Sequence, residues 1–537
     1  MPLLDPARQP ACVDYHLVAG IPTPNGPTHL GHVGGPFLRM DILARFQRLC
    51  GNRAFLISGT DAYESHVALT AERVGAAPAE IANRYHEEIE RDLALVDVTH
   101  DAFINPLDAR WSDRYAYWHR HLLERLRRLG RVELRTEHIL YGRAQGRFLM
   151  GGFLAGRCPE CRQQVVGTSC EECGMWFSPA TIINPQPNLD DDGDLERREV
   201  SNLFFRLHDK SLRELLADPG LRHEQRRVVA GYLAREGPYW RLTQQAHWGE
   251  VIPEDVTAPG VFSTYGLGIL AYAALCGEEY GVLSRRGVNA LAPGSGVITV
   301  SAQGFDSIVP DMFAIGVLRM LQPEFRPYDQ LTLNRFILLE GTKFSTSRRH
   351  AIWTREIVGA ADSDLVRYYL AWISPDEAVT DFQVDQFVEL ANRHVVCELQ
   401  GQALASWDRL DRVPAGPPDG RLAERLDALL ERQRTALDPG RLRLAEVVRA
   451  LDAWPDRDAC GSPTRDYWWL KGAAILAWSV MPRWALATWR RLGHIGEPSL
   501  ACFWHTPPLA PGQPGRRFEP LDVAKIRPLA GSGDADG

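Results

Sequence analysis

Short apolar runs bounded by Gly, Pro or Asp recur in the first three hundred residues of the chain. They occupy residues 15–21, 54–58 and 298–303. Unbroken apolar runs of this length are typical of strands buried on both faces of a parallel sheet. Apolar residues at helical spacing follow at Gly35–Cys50, Ser65–Val74 and Pro78–Val96. This alternation predicts an α/β fold with a Rossmann-type, doubly wound parallel sheet, whose ligands lie at the carboxyl ends of the strands.

Two changes of pattern divide the chain. Residues from about 130 to 250 are rich in short, turn-like segments, and the α/β pattern resumes near Gly260. From Asp381 the periodicity is helical, and residues after about 495 are rich in Pro and Gly. We predict five parts: the first half of the Rossmann domain at 1–130, a connective insertion at 131–255, the second half at 256–380, a helical bundle at 381–495 and an irregular tail at 496–537. The predicted bundle helices are Phe387–Leu404, Arg421–Leu437, Arg441–Trp454 and Tyr467–Leu492.

Composition narrows the class of protein. The 537 residues are 45% hydrophobic and 24% charged, as expected of a globular protein, and the net charge of -8 gives no overall attraction to nucleic acid. Any basic surface must be local; Arg120–Arg135 is the densest stretch, and a solvated amphipathic helix explains it best. No apolar run reaches about 18 residues, and no signal peptide is visible at the N-terminus. We therefore expect a cytoplasmic protein without a membrane partner.

Four of the ten cysteines form a cluster within the insertion. Cys158-Pro-Glu-Cys161 and Cys170-Glu-Glu-Cys173 are two Cys-x-x-Cys pairs separated by eight residues. Two such pairs at short separation can place four thiolates in a tetrahedron around Zn²⁺. Four sulfur ligands leave no open coordination position, so the ion is expected to be structural. The sequence thus predicts a zinc knuckle, and the clustering favours a reducing compartment over a disulfide framework.

A first candidate phosphate site follows the first predicted strand. The segment Pro22–His32 combines turn residues with Gly31 and with two histidines, His29 and His32, three positions apart. A strand that leads through glycine into a helix directs backbone N–H groups towards phosphates, and Gly31 allows a nucleotide to approach the backbone. The two imidazoles share one side of the helix start and can donate hydrogen bonds to charge that develops on a phosphate.

A second candidate phosphate site lies about three hundred residues further on, at Lys343-Phe-Ser-Thr-Ser-Arg-Arg349. Cations and small hydroxyl residues suit a loop that closes over pyrophosphate. Lys343 would supply the charge, and Ser345 and Ser347 would supply hydroxyl groups. By itself this segment is better explained as a solvated basic turn; the phosphate-binding interpretation depends on the first motif.

Together, in this order, the two segments resemble the HIGH and KMSKS signatures of class I aminoacyl-tRNA synthetases. The order of parts over roughly residues 13–400 resembles the methionyl-tRNA synthetase family. The stretches that carry this resemblance are "NGPTHLGH", "DILARFQRLCGNRAFLISGTDAYES", the knuckle followed by "MWFSPATIINPQ", "QGFDSI" and "DSDLVRYYLAW".

The resemblance implies a ligase that uses ATP with Mg²⁺ to form an aminoacyl-adenylate, and it assigns roles to residues. His29, His32, Lys343 and Ser345 would be catalytic, in contact with the ATP phosphates and pyrophosphate. The ATP-binding residues would also include Gly31, Gly304, Asp306, Ile337 and Ser347. Asp61 would bind the ammonium group of the amino acid, in a pocket that the remaining predicted residues line: Ile21, Phe262, Tyr265, Ile269 and Asp311.

Several pocket positions depart from the methionyl pattern. Phe262 stands for a Trp, Tyr265-Gly266 for an Ala-Pro pair, Ile269 for a Tyr and Asp311 for a His. A tyrosine ring in place of Ala would occupy space that methionine uses. We therefore expect a small amino acid such as glycine, alanine or serine as the substrate. Thr346 also replaces the second Lys of KMSKS, which removes one phosphate contact.

The helical bundle departs further. Methionyl enzymes read the anticodon with an Asn and an Arg, four positions apart, which align here with Gly401 and Ala405. Neither side chain can hydrogen-bond a base. The segment around Trp454, where the family has a stacking Trp, is about ten residues shorter than expected.

Three functions follow from these departures. In the favoured one, the protein resembles the synthetase-like domains of hydrazine synthetases and transfers the activated acyl group to a small hydroxylamine or amine, or to a carrier protein. In the second, it is a methionine–tRNA ligase that charges tRNA. In the third, it is an inactive tRNA-binding or regulatory module, and the intact His29, His32, Asp61, Asp306 and Lys343 argue against that.

Overall fold

A five-stranded parallel sheet forms the centre of the computed structural model. The structure describes residues 3–4, 11–189, 195–217, 221–253, 260–345, 350–410, 413, 416–456, 462–510 and 515–531. The strands lie side by side in the order Gln330–Asn334, Val297–Gly304, Asp14–Val18, Arg53–Gly59 and Ala102–Ile104. In chain order this is 5-4-1-2-3, so the direction of winding reverses between Asp14–Val18 and Val297–Gly304. The predicted fold class is confirmed, and ligands of such sheets bind at this reversal point.

The three strands expected from their apolar runs are adjacent in this sheet. Leu17 lies opposite both Val300 and Leu56, and all three side chains are buried. Helices cover both faces, as a parallel sheet requires. Their bounds are Leu38–Leu49, Ser65–Val74, Pro78–Leu95, Ser112–Arg128, Ile269–Leu283, Ile308–Met320, Thr354–Ala360 and Ser363–Trp372.

The first helix of the sheet begins irregularly. One turn of α-helix, Leu30–His32, is followed by a π-helical segment, Val33–Phe37, that contains Pro36. Proline cannot donate a backbone hydrogen bond, so it favours such an interruption. The regular helix expected from Gly35 therefore begins at Leu38, and the segment between holds the first motif at the end of the sheet.

The insertion is more regular than its turn-rich sequence indicates. Val132–Gly142 pairs antiparallel with Leu195–Arg206, and Arg147–Phe148 and Tyr239–Arg241 flank them. A separate three-stranded sheet carries the knuckle, and helices Asp209–Leu216 and His223–Glu236 follow. The smaller strands of the chain are Leu154–Arg157, Gln164–Val166, Ile183–Pro187, Thr243–Gln244, Val261–Phe262, Ile337–Leu339, Thr342–Lys343 and Thr380–Phe382.

The C-terminal part is helical, as predicted. Its helices are Val384–Leu390, a π-helical Ala391–Leu399, Gln400–Arg409, Gly420–Ala436, Leu444–Asp452, Pro463–Ala477 and Pro482–Arg491. The single helix expected over Tyr467–Leu492 is two helices, because Pro482 begins a new one at its first position. In the tail, Phe518 and Leu521 pack on this domain, and Val523–Ile526 is a short helix.

A buried arginine joins the helical domain to the sheet. Arg367 donates to the Val480 oxygen at 2.8 Å, to the Val96 oxygen at 3.0 Å and to Asp41 Oδ2 at 2.6 Å. Within the described residues, no helix has the length and apolar character needed to cross a membrane.

Candidate active site

The two motifs that are distant in sequence meet at the carboxyl end of the sheet. The backbone N–H of Leu30 donates to the Ile352 oxygen at 3.1 Å, and that of Thr354 donates to the Thr28 oxygen at 3.1 Å. Ser345 pairs with His350 across the base of the second motif. Backbone pairing thus holds the start of the first helix against the segment that follows the second motif. Ser347, predicted to bind ATP, lies outside the described residues.

His29 and His32 stack on each other, as their spacing predicts. Their ring centroids are 3.8 Å apart with an angle of 14° between the planes, and His29 also stacks on Phe344 at 4.8 Å. Burial lowers the pKa of His29 well below its usual value, and it lowers the pKa of His32 to about 4. Both rings are therefore neutral near pH 7, and each has one N–H to donate.

Gly31 leaves no room for a side chain between these rings. A Cβ at this position would lie 3.0 Å from His29 Cε1 and 3.2 Å from a carbon of the Phe344 ring. A larger residue would displace one ring of the stack. The glycine in the first motif therefore fixes the geometry of the histidines as well as access to the backbone.

Asp306 lies directly after the strand Val297–Gly304, on the other side of the reversal point. Burial raises the pKa of its carboxyl group to about 6, with a further contribution from the charge of Glu171. A Cβ on Gly304 would approach the Asp306 carboxylate to 2.4 Å, so a side chain at this position would displace that carboxylate. Trp176, from the insertion, donates its indole N–H to the Asp306 backbone oxygen at 2.6 Å. The insertion is therefore docked on this turn.

Lys343 precedes Phe344, which stacks on His29, and it forms an ion pair with Glu171, a knuckle residue between Cys170 and Cys173. Its ammonium nitrogen is also 4.6 Å from the centre of the Phe336 ring. Ile337, which is predicted to bind ATP, is buried in the strand beside this loop. The knuckle thus contributes a carboxylate to the phosphate end of the site.

The four knuckle sulfurs have the spacing of a metal site. All four lie within 4.8 Å of one another, with Cys158 and Cys173 3.8 Å apart and Cys161 and Cys170 3.5 Å apart. Sulfurs bound to one zinc ion at about 2.3 Å lie about 3.8 Å from each other in a tetrahedron. The four residues therefore fit Zn²⁺, and the backbone N–H of Glu160 further stabilises the Cys158 sulfur at 3.4 Å.

Asp61 follows the strand Arg53–Gly59, and its backbone N–H donates to the Pro22 oxygen at 3.0 Å. The carboxyl group is buried, and burial raises its pKa well above the usual value, with help from the charge of Glu64. A buried carboxylate in this position would be stabilised by an ammonium group. Binding of the substrate ammonium group by Asp61 stays a prediction.

Three of the residues that are predicted to bind the amino-acid substrate line one small cavity. Ile21, Ile269 and Asp311 line a space of about 40 Å³, with Tyr272 and Tyr328 in the same wall. Phe262 is buried and stacks on His119, with ring centroids 5.0 Å apart.

Tyr265 lines a different space. Its ring packs on Trp176 at 4.8 Å in the wall of a groove of about 540 Å³ between the insertion and the sheet. Arg135, Arg235 and Arg241 line the same groove, together with Glu137. Tyr265 is not among the residues that line the small cavity, so its expected effect on substrate size stays a prediction.

Sequence reasoning did not identify Glu171, Trp176 or Tyr328 as members of the site. Glu171 and Trp176 belong to the knuckle region, in which only the cysteines indicated a functional site. Tyr328 follows Pro327 in a loop with no motif. Only the fold brings them to the cleft. The insertion docks there with Glu171 and Trp176, and the segment that leads into the last strand of the sheet brings Tyr328.

These features define a class I tRNA synthetase fold. The sequence matches the family described as "tRNA synthetases class I (M)" over residues 15–259 and 312–404, which is more than half of the chain. The chain therefore belongs to this family, the methionyl-tRNA synthetases.

Individual relatives are distant. A methionine–tRNA ligase of Methanococcus aeolicus is 25% identical over 386 residues, covering 71% of this chain and 56% of the relative. One from a Roseiflexus species is 28% identical over 412 residues, covering 72% and 66%. The chain thus spans about half to two thirds of the length of these relatives. The crystal structure of Mycobacterium tuberculosis methionyl-tRNA synthetase bound by methionyl-adenylate has a TM-score of 0.67 at 21% identity, covering 95% of this chain and 99% of that one.

Proposed function

We propose that the protein activates an amino acid with ATP and transfers the acyl group to an acceptor. A carboxylate oxygen of the amino acid attacks the α-phosphorus of ATP, the bond from that phosphorus to the bridging oxygen breaks, and pyrophosphate leaves. The observation that carries this proposal is the meeting of the two motifs at the reversal point of the sheet. Backbone hydrogen bonds hold the histidines and the Lys343 loop at one site there.

The predicted residues have different roles in binding and in stabilising the transition state. His29, which is buried, and His32, which is half-buried, donate N–H groups to the charge that grows on the α-phosphate, and such bonds are strong away from bulk water. Lys343 and Ser345 hold the departing pyrophosphate, which Mg²⁺ accompanies. Gly31 admits the nucleotide, and Gly304, Asp306 and Ile337 position its nucleoside. Asp61 binds the ammonium group of the amino acid.

Zinc would support this arrangement without taking part in it. The four cysteine sulfurs fill the coordination sphere, so no position remains for substrate. The knuckle carries Glu171, and Trp176 follows it; these two residues reach Lys343 and Asp306. The ion would keep the cleft wall in place.

The relatives favour tRNA as the acceptor, since those described above are methionine–tRNA ligases. The groove beside Tyr265 has a volume within the range of ligand sites. Its lining includes Arg135 and Arg197 besides two arginines that pair with carboxylates, so it can receive a phosphate-bearing terminus. We therefore propose aminoacylation of tRNA as the main function, in place of the transfer to a small molecule or carrier protein that the sequence alone favoured.

One observation favours a second candidate function, transfer of the acyl group to an acceptor other than tRNA. Gly401 and Ala405 lie exposed on the helix Gln400–Arg409 and offer a base no hydrogen bond. Trp454 is fully buried and stacks on Trp469, so it contributes no exposed surface to a nucleotide. The helical domain therefore lacks, at these positions, the groups with which the family reads an anticodon.

ATP–pyrophosphate exchange, run with each common amino acid, tests activation. Charging of purified methionine tRNAs with the activated amino acid then tests the acceptor. Charging that collapses when the anticodon is changed supports a conventional ligase. Adenylate formation without charging supports the small-molecule or carrier acceptor, and no exchange at all with any amino acid would support the inactive module.

A further inference from the structure

The small cavity next to the predicted ammonium site has a mostly apolar lining. Val18, Ile21, Ile269 and Ala273 form part of its wall, with Leu318 and Leu331. Its volume of about 40 Å³ is room for a few water molecules, or for a short side chain. Ile21 in this lining precedes Pro22, whose oxygen accepts from the Asp61 backbone N–H at 3.0 Å, so the cavity is where the substrate side chain would lie.

One carboxyl group interrupts this apolar lining. Asp311, on the helix Ile308–Met320, is 6% exposed and lines the cavity. Its Oδ2 has no hydrogen-bond partner within the described part of the chain. A buried carboxyl oxygen without a hydrogen-bond partner is unfavourable, so its presence calls for a ligand that satisfies it.

Among the described residues that line the cavity, no basic side chain faces this carboxyl group. The described residues that line it include no Lys, Arg or His; their polar groups are Ser301, Gln303 and the hydroxyls of Tyr272 and Tyr328. Three of these already take part in hydrogen bonds, because Gln303 donates to the Ser301 hydroxyl at 3.2 Å and Tyr272 donates to the Ile104 oxygen at 3.0 Å. Burial, and then the charge of Asp306, raise the pKa of Asp311 well above its usual value. The surroundings therefore favour a donor, above all a cation, beside Oδ2.

We infer that the amino acid activated here has a short side chain that ends in a hydrogen-bond donor, an amine first of all, which pairs with Asp311 while Asp61 binds the α-ammonium group. This inference rests on the proposed function and specifies its substrate. A methionine side chain ends in a thioether methyl, which donates nothing and would leave the Asp311 oxygen unsatisfied. Sites built to bond a polar substrate group discriminate strongly against analogues that lack it.

Pairs of amino acids with the same shape test this inference. 2,4-Diaminobutyrate and norvaline differ by an ammonium group in place of a methyl group, and serine and 2-aminobutyrate differ by a hydroxyl group in place of a methyl group. We expect kcat/KM for ATP–pyrophosphate exchange to be roughly 10- to 100-fold higher for the donor of at least one pair. This ratio is measured on the wild-type protein and needs no variant.

Variants of Asp311 then test whether this residue causes the preference for the donor side chain. Asp311→Asn keeps the size of the side chain and removes its charge, and it should reduce the preference for diaminobutyrate over norvaline by about the same factor. Asp311→Leu should make norvaline and methionine the better substrates. Cys276→Ala is the matched control, because it enlarges the same cavity without changing its charge and should keep the donor ahead. A preference for serine alone would identify the donor as a hydroxyl group.

Two results would overturn the inference: wild-type protein that activates methionine or norvaline as well as the donor partners, or a preference that Asp311→Asn leaves unchanged. Isothermal titration calorimetry without ATP separates this failure from failure of the proposed function. Binding of diaminobutyrate that weakens in Asp311→Asn, in a protein without exchange activity, would refute activation and keep the cavity assignment. Absence of both binding and exchange would refute the assignment.

Discussion

The cleft and the C-terminal helical domain both bury aromatic and charged side chains, but they use them differently. In the helical domain these groups satisfy one another: Arg409 pairs with Asp466 through two bonds of 2.8 and 2.7 Å, and the Trp454 indole donates to the Trp469 oxygen at 3.1 Å. In the cleft, His29 Nδ1 and Asp311 Oδ2 have no partner among the described residues. Unpartnered buried groups also occur in the helical domain, among them the Trp469 indole, the Tyr467 hydroxyl and His494 Nε2. The two regions differ in what surrounds these groups: Asp311 lines a cavity that a ligand can enter, whereas Trp469 and Tyr467 are packed in the apolar core.

Removal of zinc should have the largest effect and should separate the two regions most clearly. Structural zinc contributes about 10–16 kcal/mol of binding free energy in small zinc domains, so chelation should unfold the knuckle region around residues 151–187. Limited proteolysis should then cut the insertion first and leave the helical domain intact. Elemental analysis of metal-replete protein should show one zinc per chain. Less than half an equivalent, or equal protease sensitivity of both regions after chelation, would contradict the assignment.

Trp454→Ala should destabilise the protein by about 3–5 kcal/mol, because the ring is fully buried against Trp469. Urea unfolding measures this loss. Exchange activity at a temperature where the variant stays folded should match the wild type. The control is Trp407→Ala, which removes a half-buried ring that packs on Arg491 and should cost less stability. If Trp454→Ala instead weakened tRNA binding without loss of stability, the ring would belong to a nucleic-acid surface and the comparison would fail.

His32→Ala and Lys343→Ala should each reduce ATP–pyrophosphate exchange by about 10²–10³, since each removes one oriented donor to transition-state charge. Stability should change little for Lys343→Ala, whose side chain is half-exposed. His121→Ala is a suitable control, because this partly exposed histidine pairs with Glu324 away from the motifs. Normal exchange in both cleft variants would remove the phosphate-binding assignment.

The sequence predicts those parts of the site in which neighbouring residues supply the functional groups. The turn around Gly31, the two Cys-x-x-Cys pairs and Asp61 after a buried strand each follow from neighbouring residues. The pairing of Val132–Gly142 with Leu195–Arg206 was missed, because more than fifty residues separate the strands and outward charges interrupt their apolar pattern. Glu171 and Trp176 reach the cleft only because the insertion docks on the Asp306 turn, which no local pattern encodes.

The stability of the helical domain should depend on pH through Lys471. Burial lowers the pKa of this lysine to about 7, among the rings of Trp468, Trp489 and Phe503. The unfolded chain has a lysine pKa near 10.4, so between pH 7 and about 10 it binds more protons than the folded protein does, and the free energy of unfolding rises with pH. Lys471→Met should flatten this rise, which urea unfolding from pH 6 to 9 would measure in both proteins. Identical pH profiles would show that the ammonium group stays solvated.

The smallest effect concerns the ion pair between Lys343 and Glu171, which closes the phosphate end of the cleft. The pair is partly exposed, with 36% and 58% of the two side chains accessible, and such pairs typically contribute about 0.2–1 kcal/mol. ATP needs the same ammonium group, so Glu171→Gln should lower the KM for ATP by at most about fivefold. Salt screens exposed charges, and the difference between the two proteins should therefore shrink at high ionic strength. Glu431→Gln breaks a comparable exposed pair with Arg434 in the helical domain and should leave the KM unchanged. An increased KM in Glu171→Gln would mean that this carboxylate helps to place Lys343 for the nucleotide, and the knuckle would then take part in ATP binding directly.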